Sequence, residues 1–545
     1  MRSLRSVLNY EPRELKFGTS GRRGRVVDLT QLEVYLNALA ELEYLQTLPA
    51  EGGGIAPGDE FYFAYDLRPS SWRIVAWQEG RGELAQAVEC AIRDAGMRPV
   101  NLGRIPTPAL ACYAISRGRG SMMVTGSHIP FDRNGYKTNT SRGELLKEHE
   151  APVNERVRAV RERLYNQPAG ESPFDQRGMF KHGPRELPPE NAAGRDEYAA
   201  RYADFFGDLS LRGTNLLVYQ HSAVGRDLLV EVLARLGATV TAAGRSDTFV
   251  PIDTENIGEE QLASMQRLVD EARAEGVRID AVVSTDGDSD RPLILDCDSA
   301  TGRVRFYGGD LVGMIAAEFL GADAVVVPVS CNDAIDRGPL ARVLEPRTRI
   351  GSPYVIAGME AARRKGRRAV CGWEANGGFL TGSDIERGGR TLRALPTRDA
   401  FLPILCTLFA ARRRRAPLSA LFAALPARFS RAALLRDFPR ETGLKIVERF
   451  TPSLDRDPAA VMEELAAFFG PEHGFFFPIT ALDCTDGVRI CFANGEVAHI
   501  RPSGNADEMR IYAVADTQER AAAIAAAGVG EPNGILRRLQ RLVDG

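Results

Sequence analysis

The sequence predicts an α/β protein: three similar units of mixed or mostly parallel sheet, followed by a smaller α+β unit. Three observations predict it. A pattern of apolar strand, helix, apolar strand and polar loop occurs three times along the 545 residues. A stretch from about 140 to 195 interrupts the pattern with Gly, Pro and charge. Beyond about residue 430 the texture changes to short alternating strands joined by turns. The length agrees, since at ~150 residues per domain the chain holds roughly three or four domains.

The first unit runs from EFYFAYD (60–66) through the helix-like ELAQAVECAIRDAG (83–96) to SMMVTGSH (121–128). The second has NLLVYQHS (215–222), VGRDLLVEVLARLGATV (224–240) and DAVVSTDGDSD (280–290). In its helix Leu228, Leu229, Val232 and Leu233 recur at helical spacing, and Gly237 stands after the last turn as a stop. The third has DAVVVPVS (323–330), SPYVIAGMEAARRKG (352–366) and RRAVCGWEANGG (367–378). Strands alternating with helices imply mostly parallel sheets covered on both faces. The 140–195 segment reads as a long loop or linker between the first two units. Arg412 to Arg415 end an apolar helix and complement its dipole in solvent. In the last unit, 486–515 alternates like antiparallel strands, and TQERAAAIAAAG (517–528) is a helical tail. The units are placed at 1–190, 191–305, 306–428 and 429–545.

Composition narrows the function. Hydrophobic content of 44% and charged content of 26% are those of a soluble globular protein. A net charge of −3 recommends neither nucleic acid nor an anionic membrane as partner. Of 69 basic residues six are Lys and 63 are Arg, whose forks suit phosphate and carboxylate ligands. Eight cysteines without a CxxC pair argue against a zinc knuckle and a disulfide framework, and for a reducing compartment. The N-terminus has no apolar stretch of signal-peptide length, and FLPILCTLFAA (401–411) falls short of the ~20 residues of a membrane span. A cytoplasmic location is expected.

In each unit the final strand ends in an unusual polar loop, and in open α/β sheets ligands sit outside the carboxyl ends of strands. TGSH, DGDSD and WEANGG could therefore converge on one cleft. The sharpest signal is STDGDSDR, where Asp286, Asp288 and Asp290 alternate after a strand. Three bunched carboxylates repel one another unless a cation sits among them, and hard divalent ions suit oxygen ligands. An EF-hand fails, because its sixth position needs Gly and is Arg291, and its twelfth needs Glu and is Cys297. A magnesium site is the better reading than a solvated acidic turn. Ser127 lies in neither a GxSxG elbow nor an SxxK motif, which disfavours a serine hydrolase. Standing alone it reads as a helix cap. Beside a metal loop, a phosphorylated Ser127 would supply an anionic oxygen to the metal, which would draw charge from the leaving phosphoryl group. His128 next to it could shuttle a proton.

Three further loops have compositions suited to anions or hydroxyls. IRPSGNADEMR (500–510) joins an Arg, a hydroxyl, a tight turn and an amide, a composition for an anion-binding nest as well as for a plain hairpin. CGWEANGG (371–378) places Glu374 and Asn376 where both can reach sugar hydroxyls. FGTSGRRG (17–24) sets two Arg among glycines, again suited to phosphate.

Taken in order, FGTSGRRG, TGSHIPFDRNGYK, DGDSDR, GWEANGG and RPSGNADEMR resemble the α-D-phosphohexomutase superfamily, and span nearly the whole chain. The resemblance implies four domains around a central cleft and Mg²⁺-dependent transfer of phosphate between O1 and O6 of a hexose, through a hexose 1,6-bisphosphate that is both intermediate and activator. By that resemblance Ser127 is the phosphoserine, and Asp286, Asp288 and Asp290 bind the metal together with its phosphoryl oxygen. Arg291 and Lys137 steady the transferring group, and Glu374 and Asn376 hold ring hydroxyls. Arg501, Ser503, Gly504 and Asn505 hold the phosphate that is not transferring, Arg349 faces it from the third domain, and Arg23 matches the arginine of the N-terminal loop. The sequence departs from the usual pattern at Ile129 (commonly Asn), at Ser289 (commonly Gly), at Trp373 before the sugar-loop Glu, at Asn376 (commonly Ser), and in Gly-Asn-Ala-Asp where Gly-Thr-Glu-Pro is frequent. None of these removes a charged catalytic group; they bear on which hexose is preferred. Mannose phosphate is favoured, with glucose or glucosamine phosphate, a hexose bisphosphate synthase, and more remotely a non-catalytic sensor as alternatives. A monomer or small homo-oligomer is expected.

Overall fold

A computed structural model describes every residue except Met1, Asn256, Leu454, Asp455, Phe476, Asn505 and Ala506. It contains four principal sheets in chain order. In the first, Glu60–Tyr65 lies parallel to Arg98–Asn101 on one side and Ser121–Val124 on the other. The second sheet sets Asn215–His221 parallel to Thr239–Arg245 and Ala281–Thr285. Ala324–Val326 and Val370–Trp373 form the parallel pair of the third. The fourth is wholly antiparallel, with Phe429–Arg436 beside Glu508–Ala515 and then Val497–Pro502, Val488–Phe492 and Ile479–Asp483.

Each of the first three sheets then turns antiparallel at the same point. Ser121–Val124 is followed by Arg133–Thr140, Ala281–Thr285 by Pro292–Cys297, and Val370–Trp373 by Phe379–Thr381. The intervening loops are too short for a crossover helix, which a parallel return requires, so the chain folds back as a hairpin. The sheets are therefore mixed rather than mostly parallel. The consequence is positional: TGSH, DGDSD and EANGG are three equivalent hairpin turns at the carboxyl ends of parallel strands.

Side-chain alternation decides how these turns sit relative to one another. Along Glu60–Tyr65, Phe61 and Phe63 face a core built with the helices Gln31–Leu45 and Leu84–Asp94. Tyr62 and Ala64 face the other way, into a second core. That second core also holds Leu216, Val218, Ala281 and Val283 of the second sheet, and Val325, Cys371, Trp373 and Phe379 of the third. One continuous apolar body thus welds three sheets together. The fourth sheet has its own core with the helices Gln518–Val529 and Ile535–Asp544. It is joined to the third unit by the buried Arg428, which pairs with Asp333 at 2.6 Å and Asp516 at 2.7 Å.

The 140–195 segment departs from its reading as a linker. It contains the 17-residue helix Glu150–Asn166. Val153, Val157 and Val160 recur at helical spacing and are buried in the first unit's core, while the remaining faces are charged. The helix Ala193–Phe205 follows. The predicted helix in the second unit is Arg226–Arg235, with Gly237 at φ +94° after it. Among the described residues no helix is long and apolar enough to cross a membrane.

Replacing Val160 by Asp puts an unpaired charge into this core and should cost about 3 kcal/mol. Urea unfolding reads this as a lower midpoint, and a change below about 0.5 kcal/mol would show that the helix is not docked.

Candidate active site

The metal loop is shaped by its own first residue. Asp286 Oδ1 accepts the backbone N–H groups of Asp290 at 3.1 Å and Arg291 at 3.2 Å. That closes the turn and leaves Oδ2 facing outward, where it accepts the Ser127 hydroxyl at 2.8 Å. Serine and aspartate come from different sheets and meet because the loops pack without a gap. A Cβ on Gly287 would lie 2.6 Å from the Ser127 carbonyl oxygen, so only glycine permits the approach. Ser127 itself has φ +53°, a conformation that costs a non-glycine residue on the order of 1 kcal/mol. Ser289, where glycine is usual, also lies in the left-handed region at φ +58°. Its hydroxyl oxygen accepts from Gly225 N at 2.9 Å and from Thr285 Oγ1 at 2.8 Å, which offsets the backbone cost.

The other two carboxylates are held from outside the loop. Asp288 Oδ2 accepts Lys137 Nζ at 2.7 Å and Thr107 Oγ1 at 2.5 Å. Asp290 Oδ2 accepts Lys137 Nζ at 2.5 Å and Arg398 Nε at 3.0 Å. Their remaining oxygens, Asp288 Oδ1 and Asp290 Oδ1, are buried and accept no hydrogen bond among the described residues. One carboxylate oxygen from each of the trio lies within 4.8 Å of the other two. A hard divalent cation fits this donor set: three buried carboxylates, two with a free oxygen, and the Ser127 oxygen beside them. Burial pushes the Asp286 carboxyl well above its usual pKa, and Asp288 and Asp290 push it further. Burial is the largest influence on Asp288 and Asp290 and would raise both, but Lys137, Thr107 and Arg398 together hold Asp288 low, and Arg398, Lys137 and Arg291 together hold Asp290 low.

His128 does not point away from the serine. Its Nδ1 is 3.4 Å from Ser127 Oγ. Burial lowers its pKa well below the ordinary histidine value, and Arg291 and Arg510 lower it further, so the ring is neutral. Arg291 Nε lies 3.9 Å from Asp286 Oδ2 and 3.7 Å from Asp290 Oδ1. Arg23 extends from the N-terminal loop, where Nη1 donates to the carbonyls of Arg22 at 2.8 Å and Tyr136 at 3.1 Å. Burial brings its pKa down to about 10, against the fields of Asp288 and Asp290.

The sugar loop joins this cluster through a residue that sequence reading passed over. Arg398 donates Nε to Asp290 and Nη1 to Glu374 Oε2, both at 3.0 Å. Asn376 uses its side-chain oxygen to accept Gly378 N at 2.9 Å, and its carbonyl accepts Thr254 Oγ1 at 2.7 Å. At the phosphate loop Arg501 pairs with Asp486 at 2.8 Å. The other oxygen of Asp486 accepts Ile350 N at 2.9 Å, and the neighbouring Arg349 donates Nε to Thr485 O at 3.2 Å. Thr485 and Asp486 thus bring Arg349 of the third unit and Arg501 of the fourth to one short loop. Ser503 is buried and donates its N–H to Glu508 O at 2.8 Å. Gly504 and Gly351 both lie against Thr19 of the N-terminal loop, so first, third and fourth units meet there. Asn505 lies outside the described residues. Arg398, Asp486 and Thr107 carried no motif; only the TRD tripeptide ending the third sheet offered a hint for Arg398.

Three loops at equivalent hairpins, a serine on an aspartate trio, and Arg349 and Arg501 held by one short loop are an arrangement suited to phosphoryl transfer. Comparison with known proteins agrees. Residues 14–164 match the model of phosphoglucomutase/phosphomannomutase α/β/α domain I, 308–429 that of α/β/α domain III, and 451–529 that of the C-terminal domain. A phosphomannomutase of Salmonella muenchen is 37% identical over 93% of each chain. One of Sinorhizobium fredii is 36% identical over 95% of this chain and 98% of its own. A phosphoglucomutase/phosphomannomutase family protein of Burkholderia thailandensis shares the fold, with a TM-score of 0.64 at 19% identity, covering 96% of this chain and 97% of its own. The chain belongs to the phosphoglucomutase/phosphomannomutase family of α-D-phosphohexomutases. It is an isomerase acting by phosphoryl transfer.

If the trio holds a divalent cation, Mn²⁺ at about 100 times its dissociation constant should stabilise the protein by about 2.7 kcal/mol. A rise in Tm measures this, and Asp288→Asn should lose most of it; an equal rise in the variant would place the cation elsewhere.

Proposed function

We propose that the protein interconverts mannose 1-phosphate and mannose 6-phosphate, with Ser127 as phosphoryl carrier and a hexose 1,6-bisphosphate as intermediate and activator. The observation that carries this reading is the 2.8 Å hydrogen bond between Ser127 and Asp286, two loops 159 positions apart in sequence. The preference for mannose is supported by the two phosphomannomutases, each similar over more than nine-tenths of the chain. The four units at 1–190, 191–305, 306–428 and 429–545 enclose the cleft, with the fourth closing over the ligand. The protein acts in the cytoplasm as a monomer or small homo-oligomer, without nucleic acid or membrane.

In the forward step the phosphorus of phosphoserine 127 is attacked by a sugar hydroxyl. The P–O bond to Ser127 breaks, a P–O bond to the sugar forms, and the hydroxyl proton ends on Ser127 Oγ. Neutral His128, 3.4 Å from that oxygen, can relay the proton. Arg291 and Lys137 place positive charge around the transferring group, where a phosphoryl transition state gathers charge. Glu374, steadied by Arg398, and Asn376 hold ring hydroxyls. Arg349, Arg501, Ser503, Gly504 and Asn505 grip the second phosphate away from any activating group. Arg23 lends charge from the N-terminal loop. Asp286, Asp288 and Asp290 with the Ser127 oxygen would hold Mg²⁺, which when bound withdraws charge from the phosphoryl oxygens. The intermediate then turns over and returns its other phosphate to Ser127. A hexose bisphosphate synthase would use the same serine with a different donor, and would turn over without added bisphosphate.

A coupled assay with Mg²⁺ and activator should show mannose 1-phosphate turned over faster than glucose 1-phosphate. Intact-mass measurement should find one phosphate on the peptide carrying Ser127. Ser127→Ala should lower kcat by at least about 10³-fold at unchanged Tm, and retained turnover would remove Ser127 from the mechanism.

A further inference from the structure

We propose that Arg68, of the first unit, and Phe249, of the second, form a clamp that fixes where the Ser127 hydroxyl points. The inference rests on Ser127 being the phosphoryl carrier, and neither residue belongs to any motif used above.

The strand Glu60–Tyr65 leads into Asp66, whose carboxylate anchors Arg68 on one side and the serine loop on the other. Asp66 Oδ1 accepts Arg68 N at 3.0 Å and Ser71 Oγ at 2.7 Å. Its Oδ2 accepts Thr125 Oγ1 at 2.8 Å and Gly126 N at 3.3 Å. Thr125 Oγ1 in turn accepts Ser127 N at 2.7 Å. The Arg68 side chain is fully buried; its Nε lies 3.4 Å from Asp66 Oδ2, and both of its Nη groups donate to the serine loop and the strand that follows it. Nη2 donates to the carbonyls of Ser127 at 2.9 Å and Ile129 at 2.5 Å, and Nη1 to those of Pro130 at 2.8 Å and Arg133 at 2.9 Å. Gly126 packs against the guanidinium so closely that a Cβ there would lie 2.5 Å from Nε. The Phe249 ring lies over it, 3.8 Å from centroid to Cζ. The same ring touches Gly287 of the metal loop, where a Cβ would come within 2.8 Å of it.

This arrangement does two things for the chemistry. Ser127 holds a left-handed backbone that its side chain disfavours, and four carbonyls converging on one rigid fork supply the restraint. The carbonyl oxygens of 127, 129 and 130 are also turned onto Arg68. Left unpaired, oxygens so near a phosphoserine would repel its dianion. Phe249 then ties the clamp to the second unit, so the serine loop and the aspartate loop share one reference point. A lysine could not substitute, since a single ammonium cannot reach four acceptors in a plane. Arg68 and Phe249 touch no substrate; they are positioning residues.

The test uses the full-length protein and three variants: Arg68→Lys, Phe249→Leu and Phe249→Trp. Circular dichroism and Tm establish folding. Titration calorimetry with mannose 1-phosphate on the dephosphorylated protein should give a Kd within about twofold of wild type, because the Arg501 and Glu374 loops are untouched. Phosphorylation of Ser127 by added glucose 1,6-bisphosphate, followed by intact mass, should slow about 100-fold in Arg68→Lys and about 10-fold in Phe249→Leu, the scale of a displaced reacting group. Phe249→Trp keeps a ring over the guanidinium and should recover most of the Phe249→Leu loss. Folded Arg68→Lys phosphorylated at the wild-type rate overturns the clamp, as does a parallel loss of rate and affinity. If Arg68→Lys does not fold, the Phe249 pair decides: equal rates in Leu and Trp variants reject the proposal. Wild-type protein that takes up no phosphate on Ser127 would instead reject the carrier assignment and leave the variants without meaning for it.

Discussion

Three buried carboxylates, one oxygen of each within 4.8 Å of the others, are the constraint around which this protein is arranged. At an effective dielectric of 20, two like charges 4 Å apart repel by about 4 kcal/mol. No single unit of the chain can compensate for that. Lys137 reaches in from the first sheet, spanning Asp288 and Asp290, and Arg398 comes from the third. Thr107, opening the helix Thr107–Ile115, adds its hydroxyl at Asp288. The trio thus holds three units in register, and the reactive serine is delivered as part of that register.

That arrangement demands a rigid body on one side and freedom on the other. The shared core behind Tyr62, Val218 and Trp373 supplies the rigidity, since close-packed interiors do not deform continuously. The Ser127, Asp286 and Glu374 loops all stand on it. The phosphate loop stands on a separately cored unit, tied across by ion pairs at Arg428 and by the Asp486 contacts. Polar ties of this kind can be remade as a domain moves, whereas an interlocked apolar core cannot. The bisphosphate proposed above would need room to reverse end for end, and the division between the two cores is where the chain is joined by polar ties.

The sequence made some of this plain and hid the rest for physical reasons. Helices with a compact apolar face, such as the one holding Leu228, Leu229, Val232 and Leu233, declared themselves by period. Glu150–Asn166 did not, because three valines among many charged residues give a faint stripe in a region full of Gly and Pro. The hairpin return after each parallel strand was invisible because a polar loop looks alike whether the next strand runs up or down. At the site, the motif residues were readable as local clusters. Arg398 and Asp486 were not, because each is defined by what it bridges across units rather than by its neighbours in sequence. Ser289 looked like a mild departure, and only its backbone angle and two hydrogen bonds show how the change is accommodated.

The alternating spacing of the aspartates follows from how their oxygens are divided. Asp286 must serve both the turn and the serine, so it occupies the first position, where Oδ1 can reach back to two amides. Asp288 and Asp290 each give one oxygen to a fixed cation of the chain and keep the other uncommitted. Were the three adjacent, successive side chains would diverge and no common point would exist. Were they farther apart, the turn that Asp286 closes could not form. Spacing by two brings one oxygen of each carboxylate within 4.8 Å of the others, while Ser127 Oγ sits on Asp286. The residues between them must then be small: Gly287 admits the serine loop, and Ser289 pins the turn from behind.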